Sequence, residues 1–178
     1  MKITMVLGSP RLESISTKMA QEFARGAQEN GHEIVTYNIN EMDVMGCQGC
    51  GLCRKYDSDC VVEDDLADYF ADLWESDVLV ITAPNYYSHV AGPMITFMNR
   101  HYCLFDKEKQ PRFKESKKLF AFFAQGAPEG FERYMPNYEW YIGTFTQKNM
   151  ELGKMLICGG NSNVDTFLEE AYQAGKNL

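Results

Sequence analysis

Apolar positions along the chain follow two different periods, and the alternation between them sets out the elements. Met1 to Leu7 is an apolar run closed by Gly8-Ser9-Pro10, the pattern of a parallel strand buried on both faces. From Ser14 to about Asn30 the period changes: Ile15, Met19, Ala20, Phe23 and Ala27 recur at helical spacing, and Gly31 supplies a stop. His32 to Tyr37 reads as a second strand. Cys47 to Asp59 has the glycines and charges of a loop. Glu63-Asp64-Asp65 then opens a helix with Leu66, Tyr69, Phe70, Leu73 and Trp74 on its apolar side, its acids placed where they cap the helix and complement its dipole. Val78 to Ala83 is a third strand stopped by Pro84, and a helix is expected from about Pro93 to Tyr102. Lys118 to Ala124 and Lys154 to Cys158 are a fourth and a fifth strand. A last helix runs from about Val164 to Ala174. Gly126 to Gln147, rich in aromatics, reads as an irregular insert before a helix.

Strands alternating with helices at this rhythm predict an α/β, doubly wound three-layer sandwich around a five-stranded parallel sheet with right-handed crossovers. Five strands favour the flavodoxin-like order 2-1-3-4-5 over a larger nucleotide fold. The 178 residues form one domain, 1–178, long enough to bury a core without disulfides or metals. No repeat, low-complexity run or linker interrupts it.

Charge narrows the partners. With 17 Lys plus Arg against 25 Asp plus Glu, the formal net charge is -8, which disfavours nucleic acid and anionic membrane surfaces. No apolar run reaches the roughly 18 residues of a membrane span, and the apolar N-terminus is too short for a secretory signal. The expected location is the cytoplasm, where the six cysteines are thiols, metal ligands or redox groups in preference to a disulfide framework.

In a sheet of this kind ligands bind at the carboxyl ends of the strands, so the loop after the first strand is the first candidate. It offers hydroxyls at Ser9, Ser14, Ser16 and Thr17, the Arg11 guanidinium, and the amides and positive end of the following helix. That set suits a phosphate monoester. It contains neither G-x-G-x-x-G for a dinucleotide nor G-x-x-x-x-G-K-[ST] for a triphosphate. The residues alone leave open a plainer reading in which the serines only cap the helix. After the third strand, Pro84-Asn85-Tyr86-Tyr87-Ser88 can supply backbone donors and an aromatic surface for a flat ring. Ordinary packing of half-buried tyrosines remains the alternative, and His89 reads as a solvated loop histidine.

Gly8-Ser9-Pro10-Arg11 followed by Ser16 and Thr17 resembles the G-S-P-R-x-x-x-N-T loop of the NADPH-dependent FMN reductase and iron–sulfur flavoprotein families. Ile15 stands where those families usually have Asn. Pro84-Asn85-Tyr86, followed by Gly92-Pro93-Met94, is similar to their P-x-Y segment, with Asn99-Arg100 in place of the usual D-R. The resemblance implies FMN as cofactor, with its phosphate on the first loop and its ring beside Pro84 to Ser88. It adds Gln125 and Gly126, in the loop after the fourth strand, as ring contacts.

Cys47-x-x-Cys50-x-x-Cys53-x6-Cys60 is the sharpest local pattern. Thiolates so closely spaced can converge on one soft metal centre because little loop entropy opposes closure. The pattern is similar to the compact motif of iron–sulfur flavoproteins, which implies a [4Fe–4S] cluster. Simple thiols lining a site or subunit contact, a zinc site and a thiol–disulfide switch compete with it. Cys103 and Cys158 read as ordinary small apolar residues.

The expectation is therefore an NAD(P)H-dependent FMN oxidoreductase that passes electrons to a small-molecule acceptor, with the chemistry carried by the cofactor and no catalytic side chain. Alternatives are an FMN and [4Fe–4S] electron-transfer protein exchanging electrons with ferredoxin, and a non-enzymatic flavin-binding carrier. The resemblance implies a homodimer or homotetramer, and the aromatic stretch Tyr134 to Phe145 either contributes to that contact, covers the flavin or packs in the core.

Overall fold

The computed structural model describes all residues, 1–178. Its order is β1 (Lys2–Leu7), α1 (Ile15–Glu29), β2 (Glu33–Asn38), α2 (Leu52–Lys55), α3 (Leu66–Glu75), β3 (Val78–Tyr86), β4 (His89–Val90), α4 (Gly92–Arg100), a 3-10 turn (His101–Leu104), β5 (Lys117–Ala124), α5 (Met135–Thr146), β6 (Met150–Cys158) and α6 (Val164–Lys176). Five strands run parallel in the order β2-β1-β3-β5-β6, and the two-residue β4 pairs antiparallel with β3. With that hairpin set aside, this is the expected 2-1-3-4-5 arrangement, a flavodoxin-like sheet between two helical layers.

The period-2 geometry of each buried strand divides one apolar run between two cores. Ile3, Met5 and Leu7 of β1, Val78 and Val80 of β3, and Phe120 and Phe122 of β5 pack with Met19, Phe23 and Ala27 of α1 and Phe167 of α6. Val6, Leu79, Ile81, Leu119, Ala121 and Phe123 point the other way, against Leu66, Tyr69 and Leu73 of α3, Phe97 of α4 and Tyr141 of α5. Both layers are needed because a parallel sheet has two apolar faces.

Several boundaries differ from expectation. β3 continues through Pro84 to Tyr86, because its ladder with β1 ends at Thr82 and the missing proline amide removes no bond there. The segment taken for a loop then folds into a hairpin on Tyr87 and Ser88, with φ of 50° and 73°, the paired left-handed conformation of a tight two-residue turn. β6 starts four residues early, at Met150; a register shift leaves Gly153 between the pairs Leu119–Leu152 and Phe120–Lys154, which hid the strand's period. The stretch 135–146 is regular helix, so the irregular insert is confined to its first part. The helix after β4 ends at Arg100 and passes into the 3-10 turn, which holds Cys103.

Candidate functional site

The loop after β1 begins at a close approach. A Cβ on Gly8 would lie 2.3 Å from both Thr82 O and Met94 Cγ, so only glycine lets the chain leave the sheet here. Ser14 is the N-cap of α1: its Oγ accepts from Thr17 N at 3.2 Å and its hydroxyl donates to Thr17 Oγ1 at 2.9 Å, with Ser16 Oγ 3.3 Å away. The capping reading is therefore correct for Ser14, and it leaves the first amides of the helix free. Ser9, Ser16 and Thr17 are buried, and Ser9 Oγ accepts from Arg11 N at 3.2 Å. Arg11 is exposed and has no carboxylate partner, while the amides of Ile15 and Ser16 make no hydrogen bond inside the chain. A helix start with free amides, clustered hydroxyls and an unpaired guanidinium is chemically complementary to a phosphate.

Beside it lies a cleft of about 320 Å³ at the carboxyl ends of β1, β3 and β5, lined by Arg11, Ser14, Ile15, Pro84, Asn85, Tyr86, Ala124, Gln125, Gly126 and Gly160. Sequence-predicted residues from three separate loops thus meet in one place. Asn85 Nδ2 is the one buried side-chain nitrogen or oxygen without a hydrogen bond of ordinary geometry; it lies near the Tyr138 hydroxyl, whose own proton goes to Gln125, so the wall of the cleft keeps a donor that an acceptor can engage. Tyr86, 45% exposed, contributes an aromatic wall. A planar group bearing carbonyl oxygens is compatible with this wall, and a phosphate with the adjoining helix start.

Other candidates are placed elsewhere. Tyr87 and Ser88 occupy the hairpin tip and do not line the cleft; Tyr87 is 102% exposed, and the Ser88 carbonyl accepts from Asn137 Nδ2 at 2.6 Å. His89 is exposed in β4, not in a loop. Gln125 is buried with both ends of its amide engaged, Nε2 donating to Pro128 O at 2.7 Å and Oε1 accepting from Tyr138 Oη at 2.9 Å. Its side chain thus holds the 125–128 turn in shape. Tyr138 was read only as one of several aromatics, yet it fixes Gln125, and burial raises its phenol pKa to about 12. Tyr138, Tyr141 and Phe145 pack in the core, whereas Trp140 is exposed. Gly160 was also missed: a Cβ there would sit 2.4 Å from Gly126 O, so the glycine lets the loop after β6 press against the cleft. A glycine pair directly after a buried strand, Cys158-Gly159-Gly160, was the available signal.

The four-cysteine loop takes a different form. Cys47 and Cys50 are exposed, Cys53 is buried, Cys60 is half-buried, and all are free thiols. No three cysteine, histidine or carboxylate side chains converge closely enough here to hold a metal ion, so the cysteines would have to draw together to hold a cluster or a zinc ion. What organises the loop is Arg100. Its guanidinium pairs with Asp64, both side chains 1% exposed, and donates to Met45 O at 2.8 Å, Val62 O at 3.3 Å and Cys60 Sγ at 3.3 Å. Asp64 also accepts from Met45 N and Leu66 N, so the acid read as a helix cap is principally one half of a buried ion pair. Burial works against its charge, but Arg100 and the two amides hold its carboxyl below the ordinary value. Burial pushes the Cys53 thiol up, and pushes Cys103 up to about 12.

The family model described as NADPH-dependent FMN reductase matches residues 1–134. An iron-sulfur flavoprotein of Archaeoglobus fulgidus is 32% identical over 100 residues, 56% of this chain but only 45% of that protein, so the chain spans less than half of its length. One from Methanosarcina thermophila is 26% identical over 166 residues, 92% of this chain and 80% of that protein. Among solved structures, the NAD(P)H:quinone oxidoreductase from Methanothermobacter marburgensis superposes with a TM-score of 0.77 at 18% identity, covering 99% of this chain and 95% of that one. At that identity the likeness is one of fold. No helix is long and apolar enough to cross a membrane.

Proposed function

The chain belongs to the NADPH-dependent FMN reductase family, and on that premise we propose that its cleft binds FMN and that the protein transfers electrons from NAD(P)H to a small-molecule acceptor. The observation that carries the reading is the meeting of the loops after β1, β3 and β5 around an Asn85 amide that makes no hydrogen bond of ordinary geometry. Arg11, Ser14 and the first amides of α1 hold the phosphate, and the hydroxyls of Ser9, Ser16 and Thr17, buried in this structure, join them when the 9–14 loop opens around it. Pro84 and Tyr86 present a flat, partly apolar wall to the ring, Asn85 donates to a ring carbonyl, and Ala124, Gln125 and Gly126 close the opposite side. Bound FMN supplies the redox chemistry, accepting two electrons and a proton as hydride from the nicotinamide and passing the electrons on. The protein's part is to orient the ring, exclude water from one face and leave the other open, so no side chain is assigned as acid or base.

The six free thiols suit a reducing cytoplasm. A homodimer or homotetramer is supported by the exposed Tyr86, Tyr87, Phe131 and Trp140, which a second copy would cover. A second reading gives Cys47, Cys50, Cys53 and Cys60 a [4Fe–4S] cluster and makes ferredoxin a partner. Its support is the cysteine spacing and the names of the two relatives, and the loop would have to rearrange to form it. Anaerobic mixing of the FMN-loaded protein with NADH or NADPH tests the main reading: the flavin absorbance bleaches and returns on adding a quinone. Absence of bleaching by either nucleotide leaves a non-enzymatic carrier. Counting iron and acid-labile sulfide in anaerobically purified protein tests the second, and finding neither removes it.

A further inference from the structure

A separate cavity of about 470 Å³ is lined by Arg54, Tyr102, Phe105, Lys109 and Gln147, none of which lines the flavin cleft. Its size falls within the roughly 300–1,000 Å³ of small-molecule sites. Arg54 is fixed in place: Nε donates to Asp106 O at 3.0 Å, Nη1 to Tyr102 Oη at 2.6 Å and Nη2 to Lys107 O at 2.7 Å, and the guanidinium carbon lies 5.5 Å from the Tyr102 ring centre. All those partners are neutral. Lys109 sits in the turn closed by Phe105 and Pro111, and neither it nor Arg54 pairs with a carboxylate.

Beyond Phe105, Lys148 is 5% exposed with its Nζ 4.8 Å from that ring centre, and its hydrogen bond goes to the Thr144 carbonyl, not to an acid. Burial lowers its pKa to about 8, the response of a cation without a counter-ion. Among the acids of this region, Asp106 Oδ1 accepts from the amides of Glu108 and Gln110 and Asp57 Oδ1 from that of Lys107, and none forms an ion pair with Arg54 or Lys109. In a chain of net charge -8, two cations without acid partners, Arg54 and Lys109, line one aromatic-walled cavity, with Lys148 buried behind Phe105. Cations without acid partners attract an anion, and ring faces favour a flat one.

We propose that this cavity binds a small planar organic anion, an aromatic carboxylate or sulfonate of one or two rings, with Arg54 and Lys109 holding the acid group against the faces of Tyr102 and Phe105. The test titrates the whole protein, with and without saturating FMN, with 2-naphthoate, its uncharged alcohol 2-naphthalenemethanol and inorganic phosphate, following backbone amide resonances and heat. Naphthoate is expected to bind once, to shift the amides of residues 102–109 and 147 most, and to bind at least about tenfold more tightly than the alcohol or phosphate, with or without FMN. Arg54→Gln and Lys109→Gln should each weaken it by about tenfold. Lys109, on a turn outside the cysteine loop, keeps the test independent of that loop's folding. Shifts confined to other residues, equal affinity for the alcohol or phosphate, or unchanged affinity in Lys109→Gln would overturn the proposal. Because the titration is read on both forms, failure of flavin binding does not decide it.

Discussion

The flavin cleft and the cysteine loop are both irregular segments set against the same sheet, yet they are held by different means. The cleft is placed by topology: its three loops leave parallel strands whose register fixes where they meet, and close approaches at Gly8 and Gly160 admit no side chain. The cysteine loop has four residues of helix and no strand, and its inner end is held by one guanidinium that reaches Asp64, Met45, Val62 and Cys60. A site built on strand ends is preformed, whereas the cysteine loop depends on side-chain anchors: the Arg100–Asp64 pair at its inner end, Arg54 on the carbonyls of 106 and 107, and Arg112 and Trp74 on Asp59. Perturbing each region separately should therefore give separable effects.

The largest effect is expected from Asp64→Ala. Leaving Arg100 buried without its partner should cost about 3–5 kcal/mol in denaturant unfolding and raise the reactivity of the loop thiols, while FMN affinity in the folded protein changes little. Because the folded Asp64 carboxyl titrates below its unfolded value, its contribution is complete above the ordinary carboxylate range and is lost as pH falls through the folded value. Asp64→Asn should flatten that part of the acid unfolding profile; an unchanged profile would remove the ion pair from the account.

Next comes the double change Arg11→Ala with Ser16→Ala. Losing two phosphate contacts of about 1.5 kcal/mol each should weaken FMN by roughly 100-fold and leave riboflavin almost untouched. Equal weakening of both would move the phosphate elsewhere. Tyr138→Phe should have a smaller effect, about 1–2 kcal/mol in stability with a several-fold loss of FMN, since it keeps the packing against Phe123 but leaves Gln125 Oε1 unpaired. Unchanged flavin binding would show that the 125–128 turn holds without it. The smallest effect should come from Cys50→Ala, an exposed thiol: flavin binding stays within about twofold, and a larger loss would join the two regions that the comparison separates.

The sheet was legible because its central strands β1, β3 and β5 are short apolar runs, and the loops after β1, β3 and β5 carry in sequence the residues that line the cleft. What escaped was set by tertiary contacts. The partnership of Asp64 with Arg100 spans 36 residues, and nothing local in Glu63-Asp64-Asp65 separates a buried counter-ion from a helix cap. Tyr138 looked like its neighbours because packing and hydrogen bonding use the same side chain. The cysteine spacing states which residues can converge, but convergence depends on backbone angles at Gly49 and Gly51, both left-handed here.

The central claim is that the start of α1 and the adjoining cleft form one mononucleotide site, and equilibrium titration of flavin-free protein with FMN and with riboflavin tests it most directly. Quenching of flavin fluorescence should show one FMN bound per chain, at least about 100-fold more tightly than riboflavin. No binding of FMN, or equal affinity for the two flavins, would contradict it.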